Sequence, residues 1–271
     1  MYNIRSRQFH FENRITDAQL NYFNDHGIIQ FKKFIDKRTL AGFLAEIKSV
    51  ELYLLGNGIK KVNGIPLKFG QDVNGSPLIQ RIAFASHYSS VLKAFLRDPR
   101  LNALTRLLGD YEGRIGENEK DGLVVNHYVN ASSSAFKQLG WHTDSPRDLF
   151  LGQKIMPMLN VGIHLDDTPF ENGGLRVLPG THKQGMLRLL FGKKYFIDNN
   201  PDAREIGFDV KAGDLTVHDG RIWHRAQQSP LYGEASRRRV MYVPIITGKY
   251  MPKDANSKTP FYHRLASKVQ N

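Results

Sequence analysis

The chain contains no cysteine. A disulfide framework, a thiolate zinc site, an iron–sulfur cluster and a cysteine nucleophile are therefore excluded, and any metal must sit on His, Asp or Glu. The sequence also lacks an apolar run approaching the ~18–20 residues that span a bilayer. Its opening residues, MYNIRSRQFHFEN, do not follow the charged-then-apolar order of a secretory signal, so a cytoplasmic location is expected. No repeat, low-complexity tract or Pro/Ser-rich linker interrupts the 271 residues, which read as a single domain, 1–271, with ample length for a sizeable core.

Acidic residues are in short supply: 26 Asp and Glu stand against 38 Lys and Arg, a formal net charge of +12. Such a surplus favours anionic partners. The basic residues are scattered, with small clusters at Lys32-Lys33, Lys60-Lys61, Lys193-Lys194 and Arg237-Arg238-Arg239. No zinc-finger, aromatic RNP or basic-helix pattern accompanies them, so a small anionic molecule rather than nucleic acid is the expected partner. Nothing in the pattern specifies an oligomeric state.

Residues 1–120 read as mostly helical support. Thr16 and Gln19 form a capping-box start to a helix that stops at His26-Gly27, a short strand covers 27–31, and a second helix fits Lys37 to Leu55 on the stripe Leu40, Phe43, Leu44, Ile47 and Val50. Further helical regions run through Val91–Leu96 and from Pro99 to Leu108. From Gly122 the pattern changes to short β-prone runs at 123–129, 139–144, 158–165, 174–178, 206–211, 214–218, 221–227 and 238–246. Eight such runs predict a mainly β fold with helices, a barrel or double-sheet jelly roll over 121–250 rather than a parallel α/β sheet. Asp219-Gly220 reads as a two-residue hairpin between two of them. The long connection 180–205 reads as a lid, and 251–271 as a C-terminal tail.

In Trp141-His142-Thr143-Asp144, the period of two puts His142 and Asp144 on one face of a strand, where they can share a metal ion or form a hydrogen-bonded pair. His224, on another strand, could complete a set of two histidines and one carboxylate with one octahedral face open, the platform of non-haem Fe(II) oxygenases. An arginine on the following strand offers a planar bidentate donor to the distal carboxylate of a co-substrate. His218 reads as a buried or turn-bonded histidine and His182 as a brace of the loop after Gly180. His164 could contact the co-substrate from the strand carrying Asn160 and Gly162, or pack in the core. On 123–129, either Asn126 and Tyr128 or His127 faces inward. Two other readings of the same residues are a jelly roll that binds metal or ligand without catalysis and a zinc hydrolase; the second lacks an evident glutamate base and leaves the arginine unexplained.

The motifs W-H-x-D (141–144), N-x-V-x-I-H-L-D-D (160–167), E-N-G-G-L-x-x-L-P-G-T-H (171–182), G-D-x-x-x-H-x-x-x-x-x-H (213–224) and the later R-R occur in an order that resembles the phytanoyl-CoA dioxygenase family of Fe(II)/2-oxoglutarate-dependent oxygenases. The N-terminal H-G-I-I-Q-F and D-P-R-L-N-A-L-T-R-L-L-G segments are similar to that family too, so the likeness extends over nearly the whole chain. It implies a double-stranded β-helix (cupin-like jelly roll) with a helical N-terminal layer. It also implies Fe(II), 2-oxoglutarate and O2 as the working set, with His142, Asp144 and His224 as iron ligands and a C–H hydroxylation yielding succinate and CO2. Arg238 is the expected 2-oxoglutarate anchor, with Arg237 and Arg239 as alternatives, and Asn160 and His164 are expected co-substrate contacts. The departure from the family pattern is spacing: Arg238 follows His224 by fourteen positions where about eleven is usual. Retention of Asp144 leaves no vacated coordination site for chloride and so implies hydroxylation, desaturation or ring formation rather than halogenation.

Overall fold

Thr16 opens the first helix as its spacing predicts. Its hydroxyl accepts from the Gln19 amide at 3.3 Å and the Gln19 side chain accepts from the Thr16 amide at 2.9 Å, a reciprocal cap at the head of α1 (Asp17–His26). The helix ends at Gly27, whose φ of 73° is left-handed and whose absent side chain leaves room for the His182 ring. The computed structural model describes residues 6–150 and 154–260. Asp36 caps α2 (Lys37–Gly56), which buries Leu40, Phe43, Ile47, Val50 and Leu54, and the shorter α3 (Ser90–Phe95) and α4 (Pro99–Ala103) complete the helical layer. Two more short helices follow, α5 (Arg147–Phe150) and α6 (Met186–Phe191).

The strands of the N-terminal part are β1 (Gln8–His10), β2 (Ile28–Lys32), β3 (Lys61–Val62), β4 (Ile65–Pro66), β5 (Lys68–Gln71), β6 (Pro77–Ile82) and β7 (Arg114–Ile115). The remainder are β8 (Val124–Tyr128), β9 (Leu139–His142), β10 (Met158–His164), β11 (Gly174–Val177), β12 (Ile206–Gly207), β13 (Leu215–Asp219), β14 (His224–Gln227) and β15 (Arg238–Ile246). A nine-stranded sheet runs β1-β2-β13-β10-β15-β8-β6-β5 with β7 on β15, and a four-stranded sheet runs β12-β11-β14-β9. Because β8, β10, β13 and β15 lie in the large sheet and β9, β11, β12 and β14 in the small one, the chain winds back and forth between two layers. This is the double-stranded β-helix.

Alternation along β15 sorts the two faces of the large sheet. Met241, Val243 and Ile245 join Val125, Val161, Ile163 and Val217 in the core beneath α2. Each fully buried aliphatic side chain contributes roughly 1.5–3 kcal/mol there. Arg238, Val240, Tyr242 and Pro244 turn the other way and line a cavity between the sheets. The same alternation settles β8: Asn126 and Tyr128 line the cavity, and His127 does not.

Three expectations need revision. Asp219-Gly220 does not close a hairpin, because β13 pairs with β10 and β2 whereas β14 pairs with β9 and β11. The dipeptide is a crossing between layers: Asp219 accepts from the Arg221 amide at 2.8 Å and Gly220 donates to Met158 O at 2.9 Å. The run 206–211 holds only the two residues of β12 and an isolated bridge from Val210 to Thr168. The N-terminal part adds β5 and β6 to the large sheet, through pairing of β6 with β8. Segment 180–205 packs closed on β9: Trp141 N donates to Asp198 O at 2.8 Å, Phe196 N to Trp141 O at 2.9 Å, and Trp141 Nε1 to Asn200 O at 2.8 Å. Of the expected tail, 261–271 lies outside the described residues.

Candidate metal centre and cavity

Pairing of β9 with β14 sets His142 opposite His224. Two residues beyond His142 the chain bends, and the Asp144 amide donates to Gly220 O at 2.8 Å, which turns the carboxylate back toward both rings. The ligand atoms of His142, Asp144 and His224 all lie within 4.8 Å of one another, and all three residues are buried. His142 Nδ1 pairs with Gly140 O at 2.8 Å and His224 Nδ1 with Ile222 O at 3.0 Å. A carbonyl accepts only, so each Nδ1 carries the proton and each Nε2 lone pair is left for a metal. Burial, with His142 and His218 nearby, holds the His224 pKa well below its ordinary value, in the neutral form a metal requires. Two neutral imidazoles and a carboxylate fit a divalent ion of the Fe(II) type.

The large sheet holds the carboxylate from its other side. Asn160 Nδ2 donates to Asp144 Oδ2 at 3.0 Å, so this residue contacts a ligand of the centre. His218 is fully buried on β13 with its Nε2 3.6 Å from Asp144 Oδ2 and neither ring nitrogen hydrogen-bonded. It stands beside the cluster without belonging to it. His164 lines the cavity and its Nε2 meets Thr216 Oγ1 at 3.0 Å; burial lowers its pKa to about 4. His182 braces its loop as expected, through Nε2 to Asn24 O at 3.0 Å.

The three consecutive arginines separate by what they touch. Arg237 pairs with Glu234 at 2.5 Å at the surface, and Arg239 pairs with Asp166 at 2.6 Å. Arg238 is buried, its Nη1 and Nη2 donate to Gln227 O at 2.5 Å and Lys137 O at 3.2 Å, and its Nε has no partner. No carboxylate among the described residues pairs with it. Burial pulls its pKa down to about 10, so the group stays charged and lacks a counter-charge.

The cavity measures about 680 Å³ and holds the His142, Asp144, His224 cluster and Arg238 on one continuous lining. No glutamate of the described residues lines it. Phe196 stacks on His142 with ring centroids 4.9 Å apart, and Gly140 is required beneath it because a Cβ would meet Phe196 O at 2.6 Å. Sequence reasoning passed over Phe196, Lys68 and Arg81, all of which line this space. Aromatic and basic residues in a long loop or on irregular strands carry no signal of their own.

The phytanoyl-CoA dioxygenase family model matches residues 23–230. A protein of Stutzerimonas stutzeri described as a probable alpha-ketoglutarate-dependent hypophosphite dioxygenase is 25% identical over 175 residues, covering 62% of this chain and 54% of that protein. The chain thus matches about half the length of that relative. Among solved structures, HygX from Streptomyces hygroscopicus with nickel and 2-oxoglutarate bound superposes with a TM-score of 0.61 at 16% identity, covering 88% of each chain. The non-haem alpha-ketoglutarate-dependent carbocyclase SnoK from nogalamycin biosynthesis gives 0.62 at 15% identity, over 89% of this chain and 88% of its own. These structures share the fold.

Proposed function

The chain belongs to the phytanoyl-CoA dioxygenase family, and from that premise we propose that it is an Fe(II)- and 2-oxoglutarate-dependent oxygenase that hydroxylates an unactivated C–H bond of a small anionic metabolite. The reaction is R–H + 2-oxoglutarate + O2 → R–OH + succinate + CO2. The observation that carries this reading is Arg238, a buried guanidinium without a carboxylate partner in the same cavity as two histidines and an aspartate. A bidentate carboxylate would satisfy it.

His142, Asp144 and His224 would hold the iron, which supplies O2 activation and the oxidising power that the protein's own side chains lack. Asn160 fixes the carboxylate by its 3.0 Å hydrogen bond. Arg238 would take the distal carboxylate of 2-oxoglutarate. Phe196 covers His142, and the Tyr195 hydroxyl donates to Leu189 O at 2.6 Å, which ties the cover down and excludes water. The name of the Stutzerimonas relative suggests a very small phosphorus oxyanion as substrate. A cavity of about 680 Å³ is instead in the range that takes a drug-sized ligand, which favours a larger organic substrate.

The test is anaerobic titration with Fe(II) and 2-oxoglutarate, then succinate release on admission of O2 in the presence of each of a panel of small organic anions as R–H. Stoichiometric binding with succinate formation supports the proposal. Stoichiometric metal binding with no binding of 2-oxoglutarate would make the protein a non-catalytic metal binder.

A further inference from the structure

Segment 180–205 lays one side on the candidate metal centre and turns an apolar side outward. Inward, Phe196 stacks on His142, Tyr195 meets Trp223 with ring centroids 4.7 Å apart, and Leu189 is buried. Successive residues of α6 step by about 100° around the helix axis, so Met186, Leu190, Leu187 and Phe191 fall within one arc of about 140° and Leu189 points to the other side. A surface helix ordinarily buries its apolar stripe. Here the stripe stands in water: Leu187 is 76% exposed, Phe191 77% and Met186 51%, and Ile197 from the turn beyond is 57% exposed. Leu190, Phe191 and Ile197 border one shallow surface hollow together with Lys193 and Lys194, so these apolar side chains are contiguous rather than scattered.

Cations flank the patch. Arg188 follows Phe191 at the edge of the arc, and Lys194 lies in the hollow. Both are exposed, and no carboxylate among the described residues pairs with either. Lys183, just before the helix, is 3.5 Å from the exposed Asp25. Lys193 and Arg204 are matched by Asp202 at 3.1 and 3.2 Å, and Asp198, the carboxylate in the hollow, accepts from Asn200 N at 3.0 Å.

A second copy seated on this face would set Arg188 and Lys194 against their own images on a chain of net charge +12, a contact that like charges oppose. A protein partner needs a complementary surface of about 800 Å². The helix is only about 9 Å long, and its apolar side chains project. A bilayer needs no matching shape, because projecting apolar side chains enter the boundary of headgroups and acyl chains while neighbouring cations meet anionic headgroups. We infer that the outer face of segment 180–205 docks on an anionic phospholipid surface, with Leu187 and Phe191 inserted and Arg188 and Lys194 on the headgroups. Phe196 covers His142 from the same segment, so the docking face and the cover of the metal centre are one piece of chain. The docking stands independently of the oxygenase reading.

Flotation of the full chain with phosphatidylcholine vesicles, with and without phosphatidylserine, tests this. Phosphatidylserine should tighten binding at least about tenfold, the scale of two cations near the surface, and added salt should weaken it. Leu187→Ser combined with Phe191→Ser should lower affinity for the phosphatidylserine vesicles at least about tenfold. Far-UV circular dichroism and the thermal midpoint should be unchanged, because both side chains already stand in water. Arg188→Gln with Lys194→Gln should remove the preference for phosphatidylserine. Lys48→Gln with Lys93→Gln, the same loss of charge from exposed lysines of the helical layer, should retain it. Equal binding to both kinds of vesicle, or equal losses in the two charge variants, would overturn the proposal. Vesicle binding that ignores the serine substitutions, with poly-glutamate bound as tightly, would overturn it in favour of an acidic protein. A light-scattering mass that doubles with concentration in the wild-type chain but not in the serine variant would overturn it in favour of a second copy.

Discussion

The amide of Asp144 and the carbonyl of Gly220 are joined at 2.8 Å, and the Ser145 amide shares that carbonyl at 3.0 Å. A carboxylate just past β9 is thereby referenced to the crossing that leads to His224. Gly220 is confined: a Cβ would lie 2.4 Å from Met158 Cγ and 3.1 Å from Ser145 Oγ. Gly220→Ala is expected to displace the crossing, weakening Fe(II) binding by about 10–100-fold and stability by roughly 1–3 kcal/mol. Competitive metal titration and thermal unfolding measure the two effects, and undiminished Fe(II) affinity would show that the carboxylate is held by other means.

Removing either imidazole of the cluster deletes one of the three proposed metal ligands. His142→Ala and His224→Ala should each abolish stoichiometric Fe(II) binding while far-UV circular dichroism is retained. His218→Ala should leave metal affinity within about tenfold, the scale of a neighbouring group rather than a ligand. If the His218 variant loses metal and the His224 variant keeps it, the ligand set is misassigned.

Arg238→Ala should raise the 2-oxoglutarate concentration needed for half-saturation by an amount corresponding to about 2–5 kcal/mol, the range for a buried charge pair broken on one side. Arg239→Ala should spare 2-oxoglutarate affinity and lower stability instead, since its partner is Asp166 at 2.6 Å. Similar titration curves for the two variants would overturn the distinction.

Acid should destabilise the metal-free chain through histidines held neutral. The pKa values of His127 and His164 are each lowered to about 4, for both chiefly by burial. The unfolded chain takes up these protons below about pH 6.5, so between about 6.5 and 4 it binds more protons than the folded one. Stability therefore falls as pH drops through that window, by up to about 3 kcal/mol per histidine, and levels off below it. His127→Leu should flatten the denaturant midpoint against pH, and an unaltered profile would refute the role of His127.

The eight runs read from the sequence correspond to the eight strands of the β-helix because half-buried strands alternate and turns are rich in Gly, Pro, Asn and Asp. Aligning the R-R pair of the family resemblance with the start of the last strand favours Arg238 over Arg237 and Arg239, and parity then puts Val240 and Tyr242 on its face. What distinguishes it from Arg239, an ion pair with Asp166 across 73 positions, is a tertiary fact that no local pattern carries. Strands β5 and β6 were hidden for a related reason, since Gly70, Pro77 and the bulge at Gln80 break the period of two. Asp219-Gly220 has turn chemistry, and turn chemistry does not say whether the chain returns to its own sheet or crosses to the other. His142 and Asp144 were legible as a pair from spacing. Asn160 contacts the centre through Asp144, sixteen positions upstream, which spacing alone does not reveal.

The irregular strands β5 and β6 lie outside the eight-stranded framework, yet Lys68, Phe69 and Arg81 furnish part of the cavity wall. The candidate metal ligands and this part of the cavity wall are thus encoded in separable stretches of chain, joined in space where β6 lies against β8 and where Gln80 meets Ser134 and Phe136. Selectivity can drift in such an arrangement while the metal ligands stay fixed. Grafting residues 61–82 from a relative with a different substrate should change which compound is turned over and leave Fe(II) and 2-oxoglutarate affinities near their starting values.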